Sequence, residues 1–198
     1  MQEQLIFLGT EEKLDFEEMN GSSYLNENFQ LGEIIIDNTV RQSAYLRYNA
    51  LKDVVEIKAK AEQAEIFILP RVGKYSYEFK NYTLVLNNYI TDDGEVLNGF
   101  VMKYYDKGNV ILLGKSNAKI TPSVKAETSY GKNMPAKINV LTNYYLGLDG
   151  DPVISIKLKR KNFKEIFDGP EMRNYFYENK IKNIEDVIEM LNFYNTQT

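Results

Sequence analysis

The chain has neither cysteine nor histidine among its 198 residues. Without thiolate or imidazole there is no Ser-His-Asp or Cys-His nucleophile system, no thiolate or imidazole metal centre, and no histidine general base or pH switch. Carboxylates, Lys, Tyr, Arg and oxygen-ligated metals are the chemistry that remains. The missing cysteines leave the redox compartment open, because a reducing cytosol and a secreted fold without disulfides both suit them. No apolar run approaches the roughly 20 residues needed to cross a bilayer, and none has the form of a signal-peptide core. The start Met1-Gln2-Glu3-Gln4 reads as that of a mature chain, with a methionine placed ahead of the residue that followed a removed signal.

An excess of cations is missing too. Lys and Arg number 24 against 28 Asp and Glu, a net charge of −4. Such a chain gains no general attraction to phosphate backbones or anionic lipid, so no nucleic-acid partner is expected. There is no GxGxxG, P-loop or GxSxG, no internal repeat and no low-complexity tract, so no cofactor is expected.

What is present is alternation. In Tyr45 to Leu69, Leu46 and Tyr48 oppose Arg47 and Asn49, and beyond Lys52-Asp53 the residues Val55, Ile57 and Ala59 oppose Glu56, Lys58 and Lys60. A period of two marks half-buried strands, here two or three folded back on one another. Leu5 to Leu8 reads as a short strand, Glu11 to Glu18 as solvated, and Asn20-Gly21-Ser22-Ser23 as a turn. Tyr75, Tyr77 and Phe79 form one strand face, continued by Tyr82, Leu84 and Leu86 after a shift at Asn81 that reads as a bulge. Asp92-Asp93-Gly94 and Asp106-Lys107-Gly108-Asn109 are turns flanking Phe100, Met102 and Tyr104. Ser123 to Tyr130 and Met134 to Val140 are weaker strands; Tyr144 to Leu148 and Val153 to Lys159 form a hairpin with Ile154, Ile156 and Leu158 facing in.

The last forty or so residues change period. Asn162 is placed to cap a short helix through Phe167, stopped by Gly169-Pro170, and Glu171 to Asn179 is a second helical piece. Asn183 is a good N-cap with Asp186 at the third helical position, and Ile184, Val187, Ile188 and Leu191 make an amphipathic face. The fold expected is mainly β: an antiparallel sandwich or open barrel of about eight to eleven strands with a small C-terminal helical segment. Residues 1–160 form the β part and 161–198 the helices packed on it, within one domain overall.

No local motif selects a reaction. Asp149 and Asp151 offer too few oxygens for calcium, which takes about six or more, and are read as turn residues with no metal expected. The one basic cluster includes Lys157, Lys159 and Lys161, and the tyrosine pairs Tyr104-Tyr105 and Tyr144-Tyr145 each place one ring inside and one outside by strand alternation. These seven residues are the candidates for contact with a protein partner. Arg47-Tyr48-Asn49 is expected to fix a strand end and turn through bonds from Arg and Asn to backbone carbonyls.

The stretches GSSYLNENFQLGEI, LRYNALKDVVEIK, VISIKLKRKNFKEIF and KIKNIEDVIEMLNFYN resemble a group of exported cell-envelope proteins of Bacteroidetes, the flavobacteria among them, that carries no known activity. The resemblance implies a periplasmic or outer-membrane-associated location and supplies no catalytic residue. On this reading the chain is a non-enzymatic binding or assembly module contacting an envelope protein, and does not itself span the membrane. Two alternatives stand beside it: a carrier of a hydrophobic or lipidated ligand in a half-barrel cavity, and a hydrolase built on two converging carboxylates.

Overall fold

Leu46, Tyr48, Val55 and Ile57 are all buried, and the strands that carry them lie inside one continuous sheet. The computed structural model describes residues 20–90, 95–124 and 134–197. Its strands are β1 (Asn20–Gly21), β2 (Gln30–Ile36), β3 (Val40–Asn49), β4 (Val54–Lys58), β5 (Phe67–Ile68), β6 (Tyr75–Glu78), β7 (Thr83–Ile90), β8 (Val96–Lys107), β9 (Val110–Thr121), β10 (Lys137–Leu148) and β11 (Ile154–Ile156). Three helices follow: α1 (Arg160–Ile166), α2 (Pro170–Glu178) and α3 (Ile184–Gln197).

The strands run β1-β10-β9-β8-β7-β6-β2-β3-β4-β5 across the sheet, and β11 shares the outer edge of β10 with β1. Pairing is antiparallel except between β1 and β10. The result is an open, curled half-barrel with three short helices, a single sheet rather than the two facing sheets of a sandwich.

Turn chemistry sets the register. Asp37 and Asn38 take φ of 49° and 58° between β2 and β3, and Thr39 N–H donates to the Ile36 carbonyl at 3.1 Å. Two consecutive left-handed residues make the tight turn whose twist matches that of the flanking strands. Asp149 (53°) and Gly150 (81°) repeat this between β10 and β11.

The curl brings distant strands together. Tyr48 on β3 meets Phe100 on β8 edge to face, with ring centroids 6.3 Å apart, although β7, β6 and β2 separate them in the sheet. Inside the curl, Leu46, Tyr77, Leu84, Phe100 and Met102 form one core cluster. A second forms where Phe163, Phe176, Val187 and Leu191 of the helices cover Leu112 and Leu146 of the sheet. Tyr104 packs against both.

Three local expectations are corrected. At Asn81 the chain reverses instead of bulging: Glu78 pairs with Thr83, and Phe79 N–H donates to the Tyr82 carbonyl at 2.9 Å, so β6 and β7 are a hairpin. The bulge lies between Lys103 and Tyr105, where one extra residue sits opposite Leu113-Leu112. Helix α1 begins at Arg160, before Asn162, whose amide donates to the Lys157 carbonyl at 3.1 Å and caps nothing. Asn20-Gly21, read as part of a turn, is the edge strand β1, with Gly21 at φ 100°. The readings at Leu5 to Leu8, at Glu11 to Glu18 and at Asp92-Asp93-Gly94 fall outside the described residues. So does most of Ser123 to Tyr130, of which Val124 bridges to Met134.

Candidate functional site

The densest polar arrangement sits where β8 and β9 part. Their register ends at Met102 opposite Gly114, while Phe100 still pairs with Leu86 on its other side. The backbone groups that Phe100 turns toward β9 are met by side chains: its N–H faces both Asp53 oxygens at 3.3 Å, and its carbonyl accepts from Lys115 Nζ at 2.9 Å. Asp53 is delivered by the β3–β4 turn, which Asn49 Oδ1 shapes by accepting from the N–H groups of Leu51 and Lys52. Asp53 itself has φ of 51°.

Around that carboxylate, Tyr48 OH donates at 2.6 Å, Lys115 Nζ at 2.9 Å and Arg71 Nη2 at 2.7 Å. Lys115 is 2% exposed. Burial lowers its pKa, Asp53 opposes that fall, and Arg71 adds to it. Burial and then the Asp53 charge raise the Tyr48 phenol. Gly99 completes the pocket, since a Cβ there would meet Asp53 Oδ2 at 2.7 Å and Lys115 Nζ at 2.9 Å. Each Lys115 hydrogen bond among the described residues is to an acceptor within the fold, and together these bonds clamp the parted strands.

A second feature is the sheet edge at β5. Ile66, Phe67 and Ile68 are 44%, 46% and 53% exposed. Adjacent strand residues leave opposite faces, so this edge is apolar on both faces. Strand β4 covers one side of β5, and no strand of the described residues covers the other.

The third is a cleft of about 430 Å³ between the β6–β7 turn, β8 and helix α3. Phe79 and Tyr82 stack at 4.8 Å, Tyr82 meets Tyr104 at 5.5 Å, and Tyr104 meets Tyr144 at 5.8 Å. Asn81 reaches across it, donating through Nδ2 to Glu185 Oε1 at 3.0 Å. Among the described residues the Tyr82 hydroxyl is buried with no hydrogen-bond partner, and burial raises its pKa.

The residues singled out from sequence disperse. Tyr105 is 4% exposed, its hydroxyl donating to the Leu191 carbonyl at 3.1 Å, and it ties β8 to α3. Tyr104 is half-buried in the aromatic row because the bulge breaks the alternation that would have sent one ring of the pair outward. Tyr144 and Tyr145 are half-buried as well, so neither pair offers a freely exposed ring. Lys157, Lys159 and Lys161 are exposed, and Lys161 lies 3.8 Å from Glu165 in α1. Arg47 is pinned between the rings of Tyr24 and Phe29, 3.8 Å and 4.4 Å from their centroids. It donates to Glu56 and to the Glu27 carbonyl. Asn49 does fix the turn, but by accepting N–H groups instead of donating to carbonyls.

Asp53, Arg71 and Lys115 are the residues that sequence reading missed. Their one local signal is the break Lys52-Asp53 between two strands, a place where Asp tolerates positive φ; the partners lie 18 and 62 residues away. No family model, curated protein or solved structure matches the chain.

Proposed function

We propose that the protein is a non-enzymatic binding module that receives an extended segment of a protein partner along the outer edge of β5, in the bacterial cell envelope. The observation that carries this reading is the exposed run Ile66-Phe67-Ile68, whose last two residues form the outermost strand β5 and whose first leads into it. Such an edge presents unpaired backbone groups as a template for another strand. Main-chain bonds would supply affinity, and the alternating Ile and Phe side chains would supply selectivity. The envelope location rests on the sequence resemblance.

The alternatives gain less support. Leu46, Leu84, Met102 and Leu112, each fully buried, fill the side of the sheet a lipid carrier would use. A carboxylate hydrolase needs two acids free to act across one bond. In the α3 cleft Glu78 is held by Arg41 at 2.6 Å and Glu185 by Asn81.

The test places a photo-crosslinking phenylalanine analogue at Phe67 in the full chain, expressed in its native host. One defined protein crosslinked through position 67, and lost when Ile66 and Ile68 are both changed to Lys, is the expected result. Those two side chains are exposed, so the folded state should be unchanged by circular dichroism. Crosslinks to no protein, to a second copy of the chain, or to the same protein in the double variant would overturn the reading.

A further inference from the structure

The cleft beside α3 is separate from the β5 edge and has a different chemistry. Its volume of about 430 Å³ falls in the range of small-molecule sites. One wall is aromatic, formed by the stacked Phe79 and Tyr82 and by Tyr104. The mouth carries both signs of charge: carboxylates at Glu78, Glu185 and Glu189, amines at Lys80 and Lys103.

Several of these charges are already engaged. Arg41 holds Glu78 at 2.6 Å, Asp106 holds Lys103 at 2.9 Å, and Glu185 accepts from Asn81. A strongly anionic or cationic ligand would therefore meet repulsion alongside attraction, and no single-sign field draws it in. What the cleft offers is a ring of mixed donors and acceptors above an apolar aromatic wall. That pattern is complementary to a neutral molecule with hydroxyls around its rim and a face of C–H groups.

We infer that this cleft is a binding site for a neutral saccharide unit, with Tyr82 as the stacking platform and Asn81, Lys80 and Glu189 as partners for its hydroxyls.

The experiment titrates the full chain with neutral trisaccharides built from glucose, mannose, xylose and N-acetylglucosamine, together with a zwitterionic dipeptide as a contrasting probe. Backbone amide NMR shifts and tyrosine fluorescence are read together, the latter clean because the chain has no tryptophan. Expected are saturable shifts confined to residues 79–83, 103–104 and 185–189 with at least one trisaccharide. Binding should weaken at least fivefold in Asn81→Ala and Glu189→Gln, two exposed positions whose variants should keep the wild-type melting temperature. Three outcomes would overturn the assignment: no trisaccharide producing a shift at millimolar concentration, both variants binding as wild type, or the dipeptide alone saturating the cleft.

Discussion

Asp53 accepts from four groups at once: Tyr48 OH, Lys115 Nζ, Arg71 Nη2 and the Phe100 N–H. Two of the donors are cations, and one of these, Lys115, has a side chain only 3% exposed. Removing the carboxylate leaves a buried ammonium beside Arg71 with nothing to neutralise it. Asp53→Ala should therefore lower unfolding free energy by about 3–5 kcal/mol, the usual consequence of breaking a buried pair from one side. Lys115→Met removes the charge that demanded neutralising and leaves Asp53 still paired with Arg71, so it should lower stability by less, about 1–3 kcal/mol. The decisive comparison is the double variant Asp53→Ala/Lys115→Met, expected to be more stable in urea than Asp53→Ala alone. Two additive losses would mean that the pair does not act as a unit. Lys115 was not singled out in the sequence, where it follows the apolar run Val110 to Leu113 with no motif to mark it. Its role exists only because the curl carries the β3–β4 turn to the place where β8 and β9 separate.

The elements divide by whether their signal is local. Helix α3 was legible: Asn183 Oδ1 accepts from the Asp186 N–H at 2.9 Å, and Asp186 Oδ2 accepts from the N–H of Asn183 at 3.3 Å and of Lys182 at 2.7 Å. That reciprocal arrangement satisfies donors the helix start would otherwise leave open. Asn183→Ala should therefore lower stability by about 1 kcal/mol, with a smaller loss for Asn183→Gly, measured by chemical denaturation. Equal losses would show that the amide oxygen does not cap. The hairpin at Asp149-Gly150 was legible for the same reason, since its residues tolerate left-handed φ without help from the rest of the chain; the turn at Asp37-Asn38 uses the same chemistry but was not read from the sequence. The bulge at Tyr104 carries no Gly, Pro or Asn to mark it, and its position is set by packing between two core clusters. That is why strict alternation failed at Tyr104-Tyr105. The curl itself, and hence the cleft under α3, depends on contacts far apart in the chain and leaves no periodic trace.

At the scale of the whole molecule, the fifteen tyrosines make alkaline pH the condition that most distinguishes folded from unfolded chain. Burial is the first cause raising the phenol pKa of Tyr48, Tyr77, Tyr82 and Tyr104, with Tyr77 pushed up to about 12 from its ordinary 10.0. A folded pKa above the unfolded one means that the folded state holds its proton more firmly. The stabilising contribution is thus complete below pH 10 and is lost as pH rises from there through the folded values. Lys115 runs the other way, since its lowered pKa makes stability rise with pH up to its ordinary 10.5, but it is one group against four. Each tyrosine contributes a slope of about 1.4 kcal/mol per pH unit once the unfolded phenol is ionised. Stability should hold nearly level to pH 10 and then fall steeply, with cooperative unfolding as the event that releases the buried phenols. Absorbance at the phenolate band, free of tryptophan, should gain the contribution of these four buried phenols only together with the loss of circular dichroism. A single transition near pH 10 that ionises every tyrosine while the β signal persists would mean that the aromatic row from Phe79 to Tyr144 is open to water.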